Sequence, residues 1–320
     1  MKAILVREFG GPDVMELADI ERPVPGPEEV LVRVRAAGVN PVDTYIRSGI
    51  HAVKPELPYT PGKDGAGEVE AVGEDVTAHR PGDRVYIADT LTGTYAEYAL
   101  CREDQLGILP DNVGYDEGAG VFTPYATAYR ALFQKAGGAS GETVLVHGAS
   151  GGVGIAAVQW AKNAGLKVIG TASSEEGRKL ISDNGADAAI DHSDPDHFAE
   201  IVEQTSGKGV DIILEMLANV NLERDFEALA KFGRIVVIGS RGSLEFTPRL
   251  TMTKDATIYG MSLFNATKSD MEQIHAAIQD GLADGFLRPY VSRKYPLAKA
   301  DHAHREVIEG RSLGKIVLTL

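Results

Sequence analysis

The chain has 320 residues, 43% apolar and 24% charged, a length for two domains of roughly 100–200 residues each and a composition that excludes a mainly disordered protein. Lys and Arg number 32 against 46 Asp and Glu, a formal net charge of −14, which argues against a broad duplex-binding face and a docking face for anionic lipid while leaving room for a local basic groove. The one cysteine, Cys101, excludes an internal disulfide and a multi-thiolate metal cluster and fits a reducing, cytoplasmic setting.

Residues 1–7 hold too short an apolar run for a signal peptide, and Arg7 and Glu8 interrupt it. The first third then reads as short strands at 3–6, 28–35, 67–72 and 94–100, punctuated by Pro61-Gly62 and Pro81-Gly82. Close-spaced strands with turn signals predict a small barrel or sandwich. The middle changes character. Strands at 143–146, 167–170, 188–190, 211–214 and 235–238 alternate with helices ending at 164 and spanning 175–184, 195–205 and 222–230. That alternation predicts βαβ units on a doubly covered parallel sheet. The window 143–161 lacks charged residues over about a membrane-helix length. Its glycines make it strand, turn and helix instead. Residues 256–261 are a candidate edge strand. The chain closes with a helix at 270–281, a strand at 291–295, a helix at 299–309 and a strand at 315–320. The expected fold is α/β, a doubly wound domain inserted into a mostly-β domain, with long connections lying over a ligand cleft.

The sharpest local signal is the run His147-Gly148-Ala149-Ser150-Gly151-Gly152-Val153-Gly154, which follows a strand and opens a helix. That context is what a dinucleotide fingerprint requires. Ala149 stands at the first glycine position. Gly151 admits a pyrophosphate, Gly154 admits close helix–strand packing, and backbone amides at the helix start would hold the phosphates. His147 reads as a structural strand-end histidine. The next strand ends at Ala172, where an NAD enzyme carries Asp or Glu for the ribose 2′-hydroxyl. Ser173, Arg178 and Lys179 leave room and positive charge for a 2′-phosphate, so the expected cofactor is NADPH. Ser173 and Glu176 have capping-box spacing.

These residues carry a resemblance. The chain resembles the quinone oxidoreductase branch of the medium-chain dehydrogenase/reductase superfamily, most nearly the zeta-crystallin group. The matching stretches are 38–49 around Asn40-Pro41 and Tyr45-Ile46, 57–62, 93–100, 144–154, 215–222 and 239–242. The resemblance implies a GroES-like barrel over 1–121 and 264–320 and a Rossmann domain over 122–263. It implies Asn40, Tyr45 and Thr123 as active-site candidates, with Tyr45 also touching the cofactor and no obligatory catalytic residue. Carried-over cofactor contacts are Ser150, Gly151, Gly152 and Val153 on the pyrophosphate turn, Ser173, where the group has Gly, then His192 and Asn221, to which the charge of Lys179 adds its own reading as a 2′-phosphate contact. Ile238, Gly239, Ser240, Arg241, Met261, Ser262 and Leu263 would line the nicotinamide half.

Zinc alcohol dehydrogenases share the expected fold, but the positions of their catalytic ligands here read Asn40, Lys63 and Asp64. A site without thiolate or imidazole there predicts no metal. The expected activity is NADPH-dependent reduction of a small-molecule quinone. The competing expectations are an alkenal or enoyl reductase acting on an activated C=C, and an AU-rich RNA-binding role that the acidic charge disfavours. The resemblance also implies a homodimer or homotetramer joined through sheet edges.

Overall fold

The computed structural model describes residues 1–52, 54–309 and 313–320. The chain divides into two compact units, Met1–Thr123 with Gln279–Leu320, and Pro124–Ile278. The second junction falls at 278/279, whereas the sequence places it at 263/264. Local contacts account for the difference. Arg130 Nη1 donates to Asp270 Oδ2 at 2.8 Å and Gln134 Nε2 to Asp270 O at 3.1 Å. They fasten the first turns of helix Lys268–Ala283 to the second unit.

The first unit is built on a seven-stranded sheet. Its order is Val291–Pro296, Lys315–Thr319, Glu29–Val39, Gly65–Val72, Arg84–Ile87 and Leu106–Ile108, with Tyr98–Arg102 also pairing to Glu29–Val39. Strands Lys2–Val6 and Met15–Asp19 form a separate antiparallel ladder. Val30, Val32 and Val34 alternate as expected, but Leu31 is buried too, because Glu29–Val39 is a central strand covered on both sides. The strand expected from residue 94 starts at Tyr98. The amides of Thr94 and Tyr95 instead donate to Gly62 O and Pro61 O, at 3.1 and 3.0 Å, and hold the Pro61-Gly62 turn.

Within the second unit we number the strands β1 (Thr143–Val146), β2 (Lys167–Ala172), β3 (Ala188–Asp191), β4 (Val210–Glu215), β5 (Leu229–Val237) and β6 (Thr257–Gly260). The helices are α1 (Gly152–Asn163), α2 (Glu175–Asp183), α3 (His197–Gln204), α4 (Ala218–Asn221) and α5 (Asp225–Ala228). All six strands are parallel, in the order β3-β2-β1-β4-β5-β6. Leu145, Ile169, Ile213 and Ile235 fill the sheet, with Phe198 and Ile201 of α3 packed into the same core. The helix expected at 222–230 is replaced by the short helices α4 and α5 and by the start of β5. Leu229 already pairs with Val210 of β4, so sheet pairing overrides a helical pattern. The charge-free window resolves into β1, a turn and α1, and among the described residues no helix is long and apolar enough to cross a membrane.

Candidate active site

In a sheet of this order the strand sequence reverses between β1 and β4, and ligands bind outside the carboxyl ends of the strands at that switch point. The glycine turn lies there. Gly148 has φ +55°, and a Cβ added to it would meet nothing within 4 Å, so the approach to the turn is open. The amide of Ala149 donates to Thr171 O at 2.8 Å and that of Gly148 to Thr171 Oγ1 at 3.2 Å, which sets the turn against β2. A Cβ on Gly154 would lie 2.5 Å from Ala149 Cα and 2.6 Å from Gly148 O, so α1 packs too closely for any other residue. Gly151 caps α1 with no side-chain acceptor. The first helical amides are left for an anion.

At the end of β2, Ala172 is buried and bears no carboxylate. Arg178 Nη1 donates to Asp191 Oδ2 at 2.7 Å and lies 3.4 and 3.3 Å from the carbonyls of Ala172 and Ser173. The helix cap is Ser174, whose Oγ accepts from Gly177 N at 3.0 Å, not the expected Ser173. That one-residue shift releases the Ser173 hydroxyl for a ligand. Lys179 Nζ donates to Asp183 Oδ2 at 2.6 Å in an exposed pair. Pairs of that kind are worth about 0.3–0.5 kcal/mol and yield readily to a phosphate. His192 Nδ1 lies 3.1 Å from Thr171 Oγ1, and burial pushes its pKa down, so its imidazole is neutral.

Beyond β4 and β5 the expected nicotinamide-side residues form one braced group. The Glu215 carbonyl accepts from Ile238 N at 2.8 Å and Gly239 N at 3.3 Å, and Ala218 N donates to Gly239 O at 2.9 Å. Asn219 Oδ1 accepts from Arg241 N at 2.7 Å and from Ser240 Oγ at 3.3 Å. Met261 N donates to Val237 O at 3.0 Å, and Ser262 precedes a short 3-10 turn that opens at Leu263. Sequence reasoning missed Asn219. Its signal was an amide side chain just past a strand end, a residue type that bonds neighbouring backbone. Asn221 follows β4 in the same loop. Its Nδ2 donates to Glu215 Oε1 at 3.2 Å, so it braces its own loop.

In the first unit, Asn40 opens the short helix Pro41–Arg47, its amide held by Asp43 Oδ2 at 2.9 Å. Asn40 is 2% exposed, and both ends of its side-chain amide are engaged. Nδ2 donates to Asp64 Oδ2 at 3.0 Å, and Oδ1 accepts from the Lys315 ammonium. Lys315 Nζ also lies 3.3 Å from Asp64 Oδ2. Thr123 Oγ1 donates to Asp64 Oδ1 at 2.6 Å, which spends its proton. Tyr45 differs from both: it is half-buried, and its hydroxyl makes no hydrogen bond among the described residues. Burial pushes Asp43 up to about 7, more than its bond to the Asn40 amide lowers it. Beside this cluster opens a cavity of about 550 Å³ lined by Asp43, Ile46, Tyr59, Lys63, Asp89 and Leu91 among others. Lys63 donates to Asp89 Oδ1 at 2.7 Å. Cys101 is buried in Tyr98–Arg102, and its thiol is pushed up to about 12 by burial.

Residues 26–136 match the family described as alcohol dehydrogenase GroES-like domain, and residues 152–280 match the family described as zinc-binding dehydrogenase. The human quinone oxidoreductase is 48% identical over 100% of this chain and 98% of its own length. The chain belongs to the quinone oxidoreductases of the medium-chain dehydrogenase/reductase superfamily. The Escherichia coli quinone oxidoreductase solved with NADPH superposes with a TM-score of 0.91 at 29% identity, covering 100% of both chains. A structure titled NAD-dependent alcohol dehydrogenase reaches a TM-score of 0.93 at 32% identity, again over 100% of both chains. Among quinone oxidoreductases, then, the residues after β2 must decide the nucleotide.

The zinc in the family description meets an unsuitable donor set. At the expected ligand positions stand an amide, an ammonium and a carboxylate: Asn40, Lys63 and Asp64. The Lys315 ammonium already bonds Asn40 and faces Asp64. A second cation would have to displace it, with no thiolate or imidazole to hold it. These residues do not fit zinc.

Proposed function

We propose that this chain is an NADPH-dependent quinone oxidoreductase that works without zinc. The observation that carries the proposal is Lys315, whose buried ammonium is bonded to Asn40 and Asp64 where metal-dependent relatives would need ligands. Without a Lewis acid to polarise an ordinary carbonyl, the acceptor must itself be electron-poor, and quinones are. When bound, the nicotinamide supplies the hydride. The protein supplies position and electrostatics.

The amides of Ser150, Gly152 and Val153 at the start of α1 take the pyrophosphate, while that of Gly151 closes the turn on Gly148 O at 3.1 Å and leaves its Cα bare for the phosphate's approach. The Ser173 hydroxyl and the Lys179 ammonium take the 2′-phosphate, with no carboxylate at Ala172 to repel it. Neutral His192 lies beside the adenosine. Ile238, Gly239, Ser240, Arg241, Met261, Ser262 and Leu263 line the nicotinamide half, with Asn219 bonded to Ser240 and Arg241, and Asn221 joins them as a cofactor contact. Tyr45 offers its unpaired hydroxyl to the acceptor or the cofactor. Asn40 and Thr123 act one step back, fixing Asp64 and the helix that carries Tyr45. In the same reading the second unit, Pro124–Ile278, takes the cofactor and the first unit takes the acceptor. The protein is cytoplasmic and pairs with itself through the edge strand β6.

The test is NADPH oxidation followed against ortho-quinones, enals and enoyl thioesters. The proposal predicts kcat/KM for a quinone well above that for either C=C acceptor. Preference for an enal or an enoyl thioester overturns it.

A further inference from the structure

At the switch point of the second unit three titratable side chains meet away from solvent. His147 follows β1, Glu215 ends β4 and Asp225 begins α5. They are 3%, 0% and 0% exposed. His147 Nε2 lies 2.8 Å from Asp225 Oδ1 and 3.5 Å from Glu215 Oε2. Glu215 Oε1 is fully used, accepting from Leu217 N and from Asn221 Nδ2. The remaining oxygens, Glu215 Oε2 and Asp225 Oδ2, are buried with no donor. Two carboxylates beside a neutral imidazole would leave two negative charges in an unsolvated site. Such a cost is relieved by protonation rather than borne. A proton on either carboxyl group turns one orphaned acceptor into a donor for the other.

The neighbours offer no other relief. Phe198 of α3 places its ring 6.0 Å from that of His147. The Arg224 guanidinium lies over the Phe198 ring at 4.5 Å and bonds Glu227, so its charge is turned outward. His197 of α3 points to the Asp194 carbonyl, and His192 after β3 points to Thr171. Burial pushes Asp225 up to about 8 and Glu215 up to about 7, and it pushes His147 down. All three directions agree with a cluster that keeps a proton at neutral pH.

The same residues anchor the loops after three adjacent strands. The His147 amide donates to Leu214 O at 3.2 Å and leads directly into the glycine turn. Glu215 holds the loop of Leu217 and Asn221 through its side chain, and the Ile238–Gly239 segment through its carbonyl. We propose that His147, Glu215 and Asp225 are positioning residues that share a proton, and that this proton keeps the loops after β1, β4 and β5 in the shape that takes the cofactor. Losing it above neutrality places unrelieved negative charge behind those loops and weakens nucleotide binding. The inference rests on the cofactor placement proposed above.

The experiment compares wild type with Asp225→Asn and Glu215→Gln, amides that keep the shape of the protonated acid but have no proton to lose. NADPH affinity is measured by fluorescence titration between pH 7 and 9, above the range where the 2′-phosphate changes charge. Wild-type Kd should rise about tenfold across that window, the linkage expected for roughly half a proton per pH unit. Asp225→Asn should stay within about twofold of wild type at pH 7 and lose most of the rise. Infrared spectra of the cofactor-free wild type should show a protonated-carboxyl stretch at pH 7 that fades by pH 9, and the double amide variant should keep only the part of it that belongs to Asp43, pushed up to about 7 by its own burial. This second readout needs no nucleotide, so it decides the proton-sharing claim even if NADPH fails to bind, an outcome that would count against the proposed function instead. The inference is overturned by equal pH slopes in wild type and both variants, by no protonated-carboxyl signal at pH 7, or by a stoichiometric metal ion that leaves with Asp225→Asn.

Discussion

Asn40 and Lys315 stand 275 residues apart in the sequence and share a hydrogen bond in the fold. Asn40 was legible as a site position because its neighbours carry a branch-specific pattern. Its chemistry was not, because the partner that occupies its amide comes from the last strand of the chain. The same limit hid Asp225, which lies 78 residues from His147. Tyr45 is the expected active-site residue whose hydroxyl has no hydrogen-bond partner among the described residues. If the enzyme works by positioning, Tyr45→Phe should lower kcat/KM by about fivefold to thirtyfold, roughly 1–2 kcal/mol of transition-state stabilisation. Tyr45→Ala should lower it further, because the ring packing goes too. A required general acid would cost about 10²–10⁴, so a loss beyond a thousandfold in Tyr45→Phe with NADPH affinity intact contradicts the positioning account. Lys315→Met strands Asp64, 0% exposed, without its cation. Breaking a buried pair costs about 3–5 kcal/mol, to be read in urea unfolding. A change under ~1 kcal/mol would show that the ammonium is not holding the cluster.

Strands bounded by glycine turns were read well from sequence, since β-branched runs followed by Gly fix both period and end. The segment after β4 was not, because α4 and α5 are each only four residues long. Elements that short are set by the side chains they brace rather than by periodicity. The end of β2 makes a sharp prediction. Ala172→Asp puts a carboxylate beside the expected 2′-phosphate and should weaken NADPH by about tenfold to a hundredfold while sparing NADH, the loss of roughly one charge-assisted contact. Titration of both nucleotides checks it, and an unchanged preference refutes the assignment. The edge strand β6 makes another. Met261 N turns inward to Val237 O, so alternation turns the Gly260 amide toward the open edge of the sheet. Gly260→Pro removes that outward donor. It should shift the protein toward monomer in light scattering, and a dimer untouched by the change places the interface elsewhere.

Taken whole, the molecule keeps three buried acids above their ordinary range: Asp43 and Glu215 pushed to about 7 and Asp225 to about 8, burial being the largest cause in each. Between pH 4 and 8 the folded protein therefore holds protons that the unfolded chain has released. Below about pH 6.5 that effect is opposed by His147, His192 and His304, which burial keeps neutral while the unfolded chain protonates them, so stability falls with rising pH between about pH 6.5 and 8, by about 1.4 kcal/mol per pH unit for each proton still held. Urea unfolding at several pH values should show this decline, and Asp225→Asn should make it shallower. A flat wild-type profile would mean that these sites are hydrated in solution. The central claim is that a lysine network stands where a metal would, leaving hydride transfer to depend on positioning and an electron-poor acceptor. The most direct test is NADPH-driven ortho-quinone reduction after exhaustive dialysis against a strong chelator, with metal analysis of the same sample. The account predicts undiminished turnover with no stoichiometric zinc before or after dialysis. Zinc found at one ion per chain, and lost together with activity, would contradict it.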